Sequence, residues 1–116
     1  MARRILRRGI YWAFLNPTVG QEQAGTRPVL IASIDSFNIN GRCAIAFPIT
    51  SKQPKVVYPL VYKLPNDLLP KPSWVKISQI RTLSTDRLGD FVVKVNEEDL
   101  EQILSGFDRL VGRRLN

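Results

Sequence analysis

The sequence predicts a small, mainly β barrel carrying a single amphipathic helix at its C-terminal end. Short runs of β-branched and aromatic residues recur between Gly, Pro and Asn punctuation, the pattern of a barrel built from short strands. Towards the C-terminus the apolar residues recur every three and four positions instead, as on one face of a helix. A length of 116 residues suffices for one domain with its own core and falls short of two, so a single domain over residues 1–116 is expected.

The basic start, Met1-Ala-Arg-Arg-Ile-Leu-Arg-Arg8, reads as an arm over residues 1–8. Tyr11, Trp12 and Phe14 favour a first strand over 10–15, ended by Asn16-Pro17, a turn signal. Residues 18–27 hold two glycines and no apolar period. They read as a long loop, a place where small domains often carry function. Residues 28–34 are apolar at nearly every position, as in a central strand covered on both sides.

Asn38-Ile-Asn-Gly41 then predicts a hairpin turn, because Asn-Gly accepts positive φ, with a third strand returning over 42–47. A fourth strand is expected over 56–63, interrupted at Pro59. Residues 64–73 contain three prolines and read as an irregular connector. Further short strands are expected over 74–80 and 90–95, with a polar turn or short helical turn over 83–89. In the last element Leu100, Ile103, Leu104, Phe107, Leu110 and Val111 share a helical stripe over about 97–111. Asn96 can cap its start and Gly112 its end, and acids in the first turn with bases in the last suit the helix dipole.

Charge is unevenly placed. The chain holds 17 Lys and Arg against 10 Asp and Glu, a net +7, and residues 1–96 alone hold 14 against five, a net +9. That excess suits a polyanionic partner, although it also serves plain solubility. Cys43 is the single cysteine, so no intramolecular disulfide can form, and its apolar setting predicts a buried, inert thiol. There is no histidine. Any acid–base chemistry must proceed without imidazole, and the commonest zinc ligand is missing. No metal and no cofactor is expected. No segment approaches the length of a membrane span, and no apolar stretch of signal-peptide length follows the basic start. A cytoplasmic protein with no membrane contact is expected.

Three features bear on chemistry. Arg27 stands where the long loop meets the apolar strand, and its guanidinium can hold a phosphate through two parallel hydrogen bonds. Pro48-Ile-Thr-Ser51 ends the third strand with two hydroxyls that can donate to a phosphate oxygen. Glu22 is a carboxylate in the loop. Each also has a structural reading: Arg27 as an ion pair, Thr50 and Ser51 as turn formers, Glu22 as a solvated side chain or a partner of Arg27.

Together these features fall into an order that resembles a known family. Arg7-Arg-Gly-Ile-Tyr-Trp12, Leu15-Asn-Pro-Thr-Val-Gly-Gln-Glu-Gln-Ala-Gly-Thr-Arg-Pro-Val-Leu30, Pro48-Ile-Thr-Ser51 and Gln79-Ile-Arg-Thr-Leu83 resemble the MazF, PemK and Kid toxins over roughly residues 8–111. The resemblance implies an SH3-like barrel with a C-terminal helix, a homodimer, and metal-independent cutting of single-stranded RNA at short sequences. It further implies a cognate antitoxin with an acidic, disordered tail. Arg27 and Thr50 match the family's principal catalytic pair, and Glu22 matches an acidic loop residue. Gln23, Ser51, Lys52, Lys76, Gln79 and Arg81 are the expected RNA contacts, with Trp74 and Lys55 on segments that could flank the groove.

The chain departs from the family twice. Arg7-Arg8-Gly9 lacks the acid that many members carry next to this glycine, and Ser78 stands where an acid often precedes Gln79. An acid–base role for a carboxylate at that second position does not transfer. Two other functions remain open: a barrel that binds RNA or protein without cutting, and a gyrase poison like CcdB. The latter is marked by a Trp-Gly-Ile terminus, whereas this chain ends Arg114-Leu-Asn116.

Overall fold

The computed structural model describes residues 4–15 and 25–113. Seven strands run β1 (Gly9–Phe14), β2 (Thr26–Ile31), β3 (Cys43–Thr50), β4 (Val61–Lys63), β5 (Trp74–Lys76), β6 (Arg81–Ser84) and β7 (Leu88–Lys94). Two helices, α1 (Asp35–Gly41) and α2 (Glu97–Leu110), complete the chain. All pairings are antiparallel, in the order β4-β5-β3-β2-β1-β7 with β6 also beside β3. β3 is the hub. One edge meets β2, and the other is divided, with β6 along Cys43 to Ala46 and β5 along Ile49 and Thr50. The end strands β4 and β7 do not pair with each other. The expected barrel is therefore an open path of strands, with a three-residue β4 at one end.

Alternation along the strands fills two cores. Tyr11, Ala13, Val29, Ile31, Ala44 and Leu83 point to one side with Ile5 of the arm. Ile10, Leu30, Phe47, Ile49 and Val75 point to the other, where Leu100 and Ile103 of α2 cover them. Burial on both faces is why β2 reads as a continuous apolar run rather than an alternating one.

The helix forms as its period predicts. Asn96 accepts a hydrogen bond from the Asp99 N–H at 2.8 Å, and Gly112 has φ 77° just past the end, the conformation that glycine enters without Cβ strain. Tyr62 of β4 donates its hydroxyl to Asp99 Oδ1 at 2.5 Å. Burial, followed by that hydrogen bond, pushes the phenol pKa from 10.0 up to about 12. Because the unfolded chain releases this proton first, the stabilisation is complete below about pH 10 and is lost as pH rises towards 12. Urea denaturation at about pH 9 and about pH 11 should show a larger loss for the wild type than for Tyr62→Phe.

The basic arm is tied down. Arg7 Nη1 and Arg8 Nε each lie 3.1 Å from a Glu97 carboxylate oxygen, the Arg7 N–H donates to Asp35 Oδ1 at 2.8 Å, and Ile5 is fully buried. Two of the charges counted towards a polyanion surface thus join the N-terminal arm to the first turn of α2. At Gly9 an added Cβ would stand 2.7 Å from Tyr11 Cε1 and 3.0 Å from the Leu6 carbonyl oxygen. Only glycine lets the arm turn into β1 there.

Several expected boundaries move. The Asn38-Gly41 segment is not a hairpin turn but lies in α1, and the left-handed residue is Arg42, with φ 55°. The cause is tertiary: the Asn38 amide nitrogen donates to the carbonyls of Ile5 (2.8 Å) and Ser33 (3.1 Å), and its Oδ1 accepts from the Ser33 hydroxyl. Fixing the arm and the end of β2 outweighs local turn preference. Asn38→Ala should leave buried acceptors unpaired and cost about 1–3 kcal/mol, read as a lower urea midpoint.

The strand expected over 28–34 is Thr26–Ile31, so Thr26 and Arg27 belong to β2 and not to the loop before it. The fourth strand shrinks to Val61–Lys63, beyond Pro59, which has no N–H for a ladder. The strand expected over 74–80 stops at Lys76 and gives way to a 3₁₀ turn over Ile77–Gln79. The polar stretch over 83–89 is shared between the end of β6, a 3₁₀ turn over Thr85–Arg87 and the start of β7. Cys43 is half-buried rather than buried.

Candidate active site

The ends of β2 and β3 place the central residues. Their register runs Val29↔Pro48, Leu30↔Phe47, Ile31↔Ala46, and the ladder stops where Pro28 has no N–H to offer. Continued for two more positions, the same register sets Arg27 across from Thr50, on the sheet face of Val29 and Pro48. Arg27 is exposed and Thr50 half-buried. Neither backbone is loose: Arg27 pairs with Ala13 of β1 and Thr50 with Trp74 of β5.

Thr50 Oγ1 accepts the Lys52 N–H at 3.1 Å. The turn-forming role expected of such a hydroxyl is therefore real, and it compels no choice, since accepting that bond leaves the hydroxyl proton able to donate to a phosphate. Arg27, but not Thr50, lines a cleft of about 560 Å³. Its walls include Arg27, Ser51, Lys71 and Ser73, with Trp12, Pro28, Ile49, Leu69 and Val92 as apolar floor. Apolar walls with a few polar groups at the rim are the usual make-up of a small-ligand site. No carboxylate is among the described residues that line it.

The other expected contacts scatter. Lys52 is exposed in the turn after β3. Lys76 pairs with Val61 at the far end of β5. Gln79 closes the 3₁₀ turn, and Arg81 sits opposite Ala46, roughly 13 Å along β3 from Thr50 at about 3.3 Å per residue. None of these four lines the cleft. Ser78 is exposed, its N–H donating to the Leu60 carbonyl at 3.3 Å. Glu22 and Gln23 lie outside the described residues.

Charge placement on the sheet is one-sided. β2 to β6 carry Arg27, Lys63, Lys76 and Arg81 and no Asp or Glu. By register Arg81 shares the face of Ala46, and Lys63 and Trp74 share the face of Thr50. A polyanion laid across these strands meets cations and no repelling carboxylate on them.

The sequence reading missed the residues that shape the cleft, above all Trp12, Leu69, Lys71 and Val92. Trp12 alternates with buried neighbours in β1, but Val92 stands between exposed Phe91 and half-buried Val93, and Leu69 and Lys71 come from a connector whose path no period reveals.

A model of the PemK-like, MazF-like toxins of type II toxin–antitoxin systems matches residues 6–111. The chain belongs to this PemK/MazF family. Among similar members, the endoribonuclease EndoA of Bacillus subtilis is 32% identical over 102 residues, 85% of this chain and 88% of that one. The endoribonuclease MazF of Staphylococcus saprophyticus is 31% identical over 111 residues, 93% and 92% of the two chains. The crystal structure of Deinococcus radiodurans MazF superposes with a TM-score of 0.84 at 25% identity, covering 95% of this chain and 98% of that one.

The matched region of this PemK/MazF-like toxin contains every strand described above, and so both Arg27 and Thr50. Among the described residues no group of three or more His, Cys, Asp or Glu could hold a metal ion. Nor, among them, is any helix long and apolar enough to cross a membrane.

Proposed function

We propose that the chain is a toxin endoribonuclease that cuts single-stranded RNA by transesterification at the pair formed by Arg27 and Thr50. What supports this reading is that the β2–β3 register, continued two positions, sets Arg27 across from Thr50 with Arg27 lining the cleft, in a family two of whose similar members are endoribonucleases.

The 2′-hydroxyl oxygen attacks the adjacent phosphorus and the bond to the 5′-oxygen breaks, giving a 2′,3′-cyclic phosphate and a 5′-hydroxyl. As charge builds on the phosphorane oxygens, the Arg27 guanidinium supplies a fixed fork of donors and the Thr50 hydroxyl one more. A base must take the 2′-hydroxyl proton, and an acid or solvent water must give one to the leaving 5′-oxygen. Glu22, in the loop that leads to Arg27, is our candidate for the base, since no carboxylate lines the described part of the cleft and the chain has no histidine. Ser51, Gln23 and Lys52 would hold flanking groups of the strand, with Lys76, Gln79 and Arg81 further along the cationic sheet face.

Such a toxin works in the cytoplasm as a homodimer and is held by a cognate antitoxin. The excess of positive charge over residues 1–96 offers a docking surface for an acidic antitoxin tail.

A 5′-labelled RNA incubated with the protein in EDTA tests the activity. Discrete fragments with 5′-hydroxyl ends are expected, and a DNA of the same sequence should remain whole. Binding without any cutting would favour an inactive barrel, and arrest of gyrase would favour a CcdB-like poison.

A further inference from the structure

Beyond Thr50 the same sheet face continues over two more strands. Trp74 pairs with Thr50, and Lys63 pairs with Trp74. Directly opposed residues in antiparallel strands point to one side, so Thr50, Trp74 and Lys63 form a row in line with the Arg27 position. Neighbouring strands lie about 4.8 Å apart, which puts the indole about 10 Å from Arg27, the reach of the first or second base beyond a phosphate held there. Trp74 is half-buried, and the Lys63 ammonium stands 5.9 Å from the centroid of its ring. That ammonium also donates to Asn66 Oδ1.

A groove of about 560 Å³ opens at this spot between β4, β5 and the segment over residues 53–58. Trp74, Lys63 and Lys55 line it together with Pro54, Val56 and Val57. Val56 and Val57 are 48% and 75% exposed, so this wall is an apolar surface open to solvent. Among the described residues, no carboxylate lines the groove.

We infer that this groove is a base-binding subsite of the RNA path, in which one unpaired base stacks on Trp74 while Lys63 and Lys55 take the flanking phosphate. An aromatic face flanked by cations is the general solution for an unstacked base on a charged backbone. The inference rests on the endoribonuclease reading above. Trp74 acts here as a positioning residue, selecting which stretch of RNA settles with its phosphate at Arg27 and Thr50.

The test uses a short RNA cut at one site and a series in which successive nucleotides beside that site are made abasic. For the wild type, one abasic position should lower kcat/KM by about 5- to 150-fold, the range for one base–aromatic stack, chiefly through KM. Trp74→Leu should lose a similar factor on the intact RNA and become indifferent to that abasic position, and Trp74→Phe should restore most of both. A merely structural role for Trp74 would lower cleavage of all RNAs alike and overturn the proposal. So would preferential displacement of bound RNA by a polyglutamate peptide from the wild type but not from Trp74→Leu, which would make the groove a peptide site. If the wild type cuts none of the RNAs, the endoribonuclease reading itself fails, a result distinct from cleavage that ignores Trp74.

Discussion

Arg27→Ala should lower the rate of RNA cleavage by on the order of 100- to 1000-fold, about 2.7–4 kcal/mol of transition-state stabilisation, while the protein stays folded. Both halves of this expectation follow from position. The side chain is exposed at the mouth of the cleft, so its removal leaves no cavity, and a surface substitution of this kind usually changes stability by less than about 0.5 kcal/mol. The backbone stays in register through the pairing of β2 with β1. What is lost is the fixed cationic fork. Arg27→Lys should recover only part of the rate, since a single ammonium cannot make two parallel hydrogen bonds to one phosphate. Single-turnover cleavage, with urea denaturation of the same samples, separates the two effects.

Phe47→Ala should do the reverse. Phe47 is fully buried in β3 on the side covered by α2, packed with Leu30, Ile49, Leu100 and Ile103. Truncation removes its transfer free energy and leaves a cavity, together costing about 3–5 kcal/mol. That is a large part of the roughly 5–15 kcal/mol that holds a domain of ordinary stability. Phe47→Leu keeps most of the volume and should cost less than about 1.5 kcal/mol. The residue lies three positions before Thr50 on the same strand, on the opposite face from it, and is not among the residues that line the cleft. Cleavage should therefore fall only in proportion to the folded fraction, measured by circular dichroism at the assay temperature.

The parts of this fold that were legible in the sequence are those whose pattern is set by burial. The helical stripe of α2 with its Asn96 cap and the aromatic strand β1 lie within one residue of where pattern put them, and the double-sided apolar run of β2 within three. α1 was hidden because Asn38 is used for what it reaches, the Ile5 and Ser33 carbonyls, and not for its turn propensity. The divided edge of β3 was hidden because nothing in one strand's sequence states which partners share its length. Arg27 and Thr50 were legible as residue types and by family likeness. That they stand across from each other follows only when the β2–β3 register of the folded sheet is continued past Val29 and Pro48. The cleft floor from Leu69 and Lys71 was out of reach, since a proline-rich connector has no period to follow.

Arg7 and Arg8 contribute to the positive total but face Glu97. Arg27, Lys63, Lys76 and Arg81 lie on strands with no acid, so a polyanion crossing those strands meets no repelling carboxylate on them.

The most direct measurement concerns the nucleophile. An RNA that the protein cuts at one phosphate should be compared with the same RNA carrying a single 2′-deoxyribose on the 5′ side of that phosphate. Transesterification at Arg27 and Thr50 predicts that the substituted strand is bound as before and left uncut. Cutting at the same phosphate without the 2′-hydroxyl would contradict the account.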